Sequence, residues 1–131
     1  MESINYAVKW FSKNTLRTRD SVLLFHVSHD RPFETLLEPL IKFHQQIQPF
    51  QEVIFVRPQS PTDPIDIDYS LHIKMSDFWT RETGGLALYC STADLVARLD
   101  FANRALPRQI FATGSLYLVG DILKIMEIPV L

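Results

Sequence analysis

What most limits the folds open to this chain is a set of four short apolar runs. They are Val22, Leu23, Leu24 and Phe25; Val53, Ile54, Phe55 and Val56; Leu86, Ala87, Leu88, Tyr89 and Cys90; and Ile110, Phe111 and Ala112. Each is too short for a helix and lacks the apolar and polar alternation of a strand with one wet face, so each predicts a strand buried on both sides. The segments between them carry helical spacing instead. Ile4, Ala7, Val8 and Phe11 share one face, with Ser3 placed to cap it. Phe33, Leu36, Leu37, Leu40, Ile41 and His44 share another, behind Pro32 at the first helical position and with Pro39 as a site for a kink. Ser91 or Thr92 can cap a helix bearing Leu95, Val96, Leu99 and Phe101. A last, strongly apolar helix runs through Leu116, Leu118, Val119, Ile122, Leu123, Ile125 and Met126. Residues 70–83 fit a helix or an extended segment equally well, and Gly84 with Gly85 ends them. Prolines and aspartates between Gln59 and Asp68 mark an irregular connection, the one candidate for local mobility.

Buried strands alternating with amphipathic helices predict a mostly parallel sheet covered on both faces, an α/β domain of Rossmann-like architecture. The sequence opens on a helix, so the strand that usually precedes it in a doubly wound sheet is expected to be missing. A length of 131 residues with 47% hydrophobic positions suits one domain spanning 1–131. Thirteen basic against 15 acidic side chains give a net charge of −2, with no basic stripe, so nucleic acid is not an expected partner. The single cysteine, Cys90, lies in an apolar run and reads as a buried core thiol. No stretch has the length and apolarity of a membrane span or the make-up of a secretory or transit signal, which points to the cytoplasm and to no membrane partner.

Three motifs carry chemistry. The strand Ile110, Phe111, Ala112 runs into Thr113, Gly114 and Ser115 and then into Leu116, Tyr117, Leu118, Val119 and Gly120. Strand, Thr-Gly-Ser and helix in that order can present backbone N–H groups and a hydroxyl to an anion, although a plain capped turn accounts for the same residues. Leu23, Leu24, Phe25 through Asp30 and Arg31 into Leu36 sets an arginine at the C-terminal end of a strand, placed for a phosphate or carboxylate or simply on the surface at a helix start. Glu2, Ser3, Ile4, Asn5, Tyr6, Ala7, Val8, Lys9, Trp10 and Phe11 form the third.

These three stretches resemble the folylpolyglutamate synthases, whose closing motif is TGSLYLVG, and specifically their C-terminal, glutamate-binding domain of the Mur ligase type. The likeness runs from Glu2 to Met126, is strong at the two ends and fades between Pro58 and Gly85. The departures are definite. His26 stands where the family commonly has Asn, Pro32 replaces an acid, and the Asp-Gly-Ala-His motif that precedes the first helix in the family is absent. In the family an N-terminal P-loop domain binds ATP and Mg²⁺ and phosphorylates the folate γ-carboxylate, and the C-terminal domain delivers glutamate. The resemblance implies glutamate contacts at Gly114 and Ser115, a phosphate or carboxylate contact at Arg31, and L-glutamate and folate as partners. No catalytic residue and no resident ATP or Mg²⁺ is expected on this chain alone, because it has neither G-x-G-x-x-G nor G-x-x-x-x-G-K-[ST]. The expected function is therefore half of an ATP-dependent ligase, inactive by itself, with a P-loop domain or a full-length synthase as partner. The alternative is a non-enzymatic interaction or regulatory protein, or a truncated relic, that binds such a synthase through an open sheet edge.

Two other constellations do not hold together. His26, His29 and Asp30 lack further ligands at metal-binding spacing, so no metal site is expected. Ser115, His29 and Asp30 lack a nucleophile elbow.

Overall fold

The structure, a computed structural model, describes residues 2–14, 21–28, 30–58, 68–95, 109–114 and 118. Among them are three full helices, α1 (Glu2–Asn14), α2 (Phe33–Gln46) and α3 (Ser70–Thr83), and four strands, β1 (Ser21–Phe25), β2 (Glu52–Arg57), β3 (Leu88–Ser91) and β4 (Gln109–Thr113). The strands pair in the order β3-β2-β1-β4, and every pairing is parallel. The fold is thus an α/β domain with an all-parallel sheet flanked by helices, as in Rossmann-like proteins, and all four apolar runs fall in or across its strands.

Period-two alternation sorts each strand between two cores. Leu23 and Phe25 of β1, Val53 and Phe55 of β2 and Phe111 of β4 join Phe11, Leu36, Leu37, Leu40, Phe43, Met75 and Trp79 under the three helices. Val22, Leu24, Ile54, Val56 and Cys90 point to the other face, against Leu95 and Leu118. The helical face is aromatic. Phe11 stacks on Phe111 at 4.5 Å and tilts on Phe43 at 5.2 Å, while Trp79 meets His44 edge-on at 5.2 Å. Fully burying one such side chain contributes about 1.5–3 kcal/mol. The Glu38–Lys42 ion pair, 62% exposed on both sides, adds about 0.3–0.5 kcal/mol. Packing under the helices therefore dominates.

Several boundaries differ from expectation for local reasons. α1 already includes Glu2, which puts Ser3 inside its first turn rather than at a cap. Pro32 occupies the N-cap position of α2, not its first helical residue, with φ −76° and no N–H to leave unsatisfied. The helix runs through Pro39 to Gln46. β3 starts at Leu88 rather than Leu86, whose side chain is 79% exposed. The ambiguous stretch is α3. Leu71, Met75 and Trp79 recur every four residues on its buried side, and Gly84 at φ +73° ends it in the left-handed cap that glycine adopts without strain. Ser91 is the cap of the next helical turn, its Oγ accepting the Asp94 N–H at 3.3 Å. The rest of that helix, the closing helix apart from Leu118, and residues 59–67 of the proline-rich connection lie outside the described residues.

Candidate functional site

In an open parallel sheet, loops leave neighbouring strands in opposite directions at one position only, and the crevice at the C-terminal ends of those two strands is the usual ligand seat. Here β1 runs on through α2 to β2 on one side, and β4 arrives from β3 on the other, so the switch point lies between β1 and β4. The residues bordering it are His26, Val27 and Ser28 after β1, and Gly114 after β4.

Gly114 has φ +107°, and a Cβ added there would lie 2.4 Å from the carbonyl oxygen of His26 and 3.1 Å from the Phe25 ring. Any side chain is excluded twice, by backbone conformation and by the neighbouring main chain. The His26 N–H also donates to the Thr113 carbonyl at 3.4 Å, extending the ladder one residue past the strands. Main chain from the two loops therefore meets directly at the switch point. Ser115, the second expected glutamate contact, lies outside the described residues. Arg31 is on the same rim, six residues beyond the end of β1, exposed, with its backbone N–H donating to the Ser28 carbonyl at 3.1 Å. The Ser28 hydroxyl donates to the Asp30 carboxylate, which shapes the turn into α2.

One further group belongs to this rim and was not foreseen. His26 Nδ1 and His72 Nε2 are 2.9 Å apart, with ring planes within 6° of parallel and centroids 5.1 Å apart. The centroid separation exceeds the N···N contact by about the two ring radii, so the nitrogens face each other head-on in an N–H···N hydrogen bond. His72 is 3% exposed and His26 half-buried.

α3 is fixed so that His72 faces inward. Asp68 Oδ1 accepts from the Ser70 N–H at 2.9 Å and the Ser70 hydroxyl at 2.7 Å, closing the first turn. Arg57, at the end of β2, donates through Nε to the Asp68 carbonyl at 3.2 Å and through a terminal nitrogen to the Pro58 carbonyl at 3.1 Å. Farther along, Ser76 donates to the Ala87 carbonyl at 3.0 Å. Leu71, Met75 and Trp79 set the rotation, and His72 follows Leu71 into the interior. The sequence gives no cue to the pairing: 46 residues separate the two histidines, and the helix holding His72 has no cap-and-stripe signature to announce it.

Zn²⁺ sits about 2.0–2.1 Å from each imidazole nitrogen. Head-on nitrogens 2.9 Å apart leave no seat for it between them. Among the described residues, no group of three or more His, Cys, Asp or Glu is assembled to hold a metal ion. His29 lies outside the described residues. Cys90 is 5% exposed and belongs to the aliphatic core. Among the described residues, no helix is long and apolar enough to cross a membrane.

No protein-family model, curated protein or solved structure matches the chain.

Proposed function

We propose that this chain is the glutamate-side domain of a folylpolyglutamate-synthase-like ligase, holding the glutamate carboxylate in the crevice between β1 and β4. One observation carries the reading: the residue just after β4 in the Thr113, Gly114, Ser115 motif is a glycine with a positive φ packed against the His26 carbonyl, at the switch point where α/β sheets bind ligands. By the resemblance, Gly114 and Ser115 would contact the glutamate carboxylate, with Arg31 on the rim as the charged contact.

The division of labour follows from the residues. ATP phosphates and Mg²⁺ call for a glycine-rich cradle with Lys and Ser or Thr, and the sequence has no such loop, so a P-loop domain must bring them and the activated folate. This chain contributes position. It holds glutamate with its amine toward the acyl phosphate that the other domain presents, which is catalysis by orientation.

The test is ATP- and Mg²⁺-dependent addition of labelled glutamate to a reduced folate by the purified chain, with and without a separately supplied P-loop domain. Activity only in the presence of the added domain is expected. Activity of the chain alone would refute the half-site assignment. No activity in either arm would favour a second reading, a non-enzymatic partner protein. Tyr6 and Trp10, 68% and 63% exposed and one turn apart on α1, offer an aromatic surface for that role.

A further inference from the structure

We infer that His26 and His72 form a proton-linked pair that tunes the β1/β4 crevice for a carboxylate, His72 positioning His26 and the pair taking up one proton from solvent as the anion binds. The inference rests on reading that crevice as the carboxylate seat, and the pair is its own observation.

The geometry makes this pair unlike an ordinary satisfied histidine. A head-on N–H···N contact of 2.9 Å needs one nitrogen to carry a proton and the other to lack it. Two neutral imidazoles meet that condition, and so does a pair that has gained one proton at an outer nitrogen, whose bond becomes charge-assisted and stronger. A pair with two added protons fails it, because both facing nitrogens would then be donors. The arrangement therefore absorbs one proton without breaking, and no covalent bond is made or lost.

Position links that proton to the crevice. The His26 carbonyl packs against Gly114 where a Cβ would clash with it, and the His26 N–H donates to the Thr113 carbonyl at 3.4 Å, so the backbone of residue 26 is tied to the end of β4. Its ring is held from the other side by His72, itself buried in α3 behind the Asp68 and Arg57 contacts. A positive charge in the pair is thus held one residue past β1, against the start of α3 and beside the main chain that borders the crevice, instead of swinging into solvent. Ionisable groups toward this end of the surrounding elements include Asp30 and Arg31 after β1, Glu34 in the first turn of α2, Arg57 on β2, Asp68, Tyr69 and Lys74 at the start of α3, and Tyr89 and Cys90 on β3. Tyr69 meets His72 edge-on at 6.5 Å and is tilted against Tyr89 at 5.3 Å. Asp30 is bonded to Ser28, and Arg57 to the Asp68 and Pro58 carbonyls. By linkage, an anion in the crevice raises the proton affinity of the pair, and glutamate binds more tightly as pH falls until the second proton breaks the bond.

The test is nitrogen NMR of the histidine rings in the full chain, titrated with pH without and with L-glutamate, sodium chloride matching ionic strength. Backbone amide shifts at Gly114 report binding independently. Expected is an upward move of the pair's titration midpoint in glutamate, together with glutamate affinity that changes about three- to tenfold across that pH range, the scale of one opposite charge about 4 Å away in water. His26→Asn keeps a side-chain donor toward His72 but cannot take a proton. It should fold, still shift Gly114 with glutamate, and lose the pH dependence. His72→Gln should flatten the same profile, and the His26 variant stands alone if the buried change impairs folding. Glutamate shifts at Gly114 with an unmoved midpoint, or an unchanged pH profile in His26→Asn, would overturn the proton linkage while leaving the carboxylate reading intact. No shift at Gly114 at any glutamate concentration would overturn both.

Discussion

At the N-terminal rim of the sheet His44 accepts a hydrogen bond from the Phe50 N–H at 2.9 Å, whereas at the C-terminal rim His26 shares one with another histidine. The difference in partner sets what a proton does. A backbone amide can only donate, so His44 Nδ1 must stay unprotonated, and burial among Phe50 and Trp79 lowers its pKa from the usual 6.5. Gaining a proton there only costs stability. The pair at the other rim can gain a proton and keep its bond. Apart from Glu52 at the start of β2, the polar groups nearby differ in the same way. Near His44, Gln48 and Gln109 both donate to the Ser21 hydroxyl, at 3.2 and 3.0 Å, and the Gln51 N–H donates to the Ser21 carbonyl at 2.8 Å. That network is neutral and stitches β1 and β4 to the turn before β2. The C-terminal rim carries Arg31, Asp30, Arg57 and the histidine pair. One end of the sheet is tied by a neutral amide and hydroxyl network, and the other carries the histidine pair.

The contrast can be attacked at three strengths. The largest effect is expected for Gly114→Ala, where a positive φ and a clash with fixed main chain combine to cost about 2–4 kcal/mol of unfolding free energy. Urea denaturation would show it, and a loss below about 1 kcal/mol would mean that the two loops are not locked together. Next, Ser21→Ala removes one acceptor from two amides in a mostly buried site, at a cost of about 1–2 kcal/mol. That cost should be the same at pH 6 and pH 8, since no member of the network titrates in that range. The smallest effect is the pH response of His44. Its folded pKa lies below the unfolded value, so its contribution to stability is present in full above about 6.5 and is lost as pH falls from there through the lowered folded value. Thermal melts between pH 7.5 and 5 should show this loss. His44→Gln, which keeps a carbonyl acceptor for Phe50, should remove that part of the slope.

Legibility in the sequence followed how local each cause is. β1, β2 and β4 could be read because Val22 to Phe25 and Val53 to Val56 are buried on both faces and Ile110 to Ala112 packs against both cores, and continuous apolar runs are the mark of such strands. Gly84 as a helix stop was equally plain, because a left-handed cap is set by one residue. α3 was not, since Leu71, Met75 and Trp79 are diluted by His72, Ser76 and Asp77, and only tertiary packing on β2 and β3 selects the helix. Of the site, Gly114 could be singled out from its strand-turn-helix setting, but the reason it must be glycine is the His26 carbonyl, 88 residues away in sequence. The His26–His72 contact is wholly a product of folding. Arg31 was legible as an arginine at the end of a strand, and it is on that rim, exposed.

The carboxylate seat itself is tested most directly by amide NMR of the purified chain titrated with L-glutamate. Shifts concentrated at His26, Val27 and Gly114, with Ser21, Gln48 and Gln109 unmoved, are the expected result. Shifts confined to the opposite rim, or none at saturating glutamate, would contradict the assignment of the β1/β4 crevice as the glutamate site.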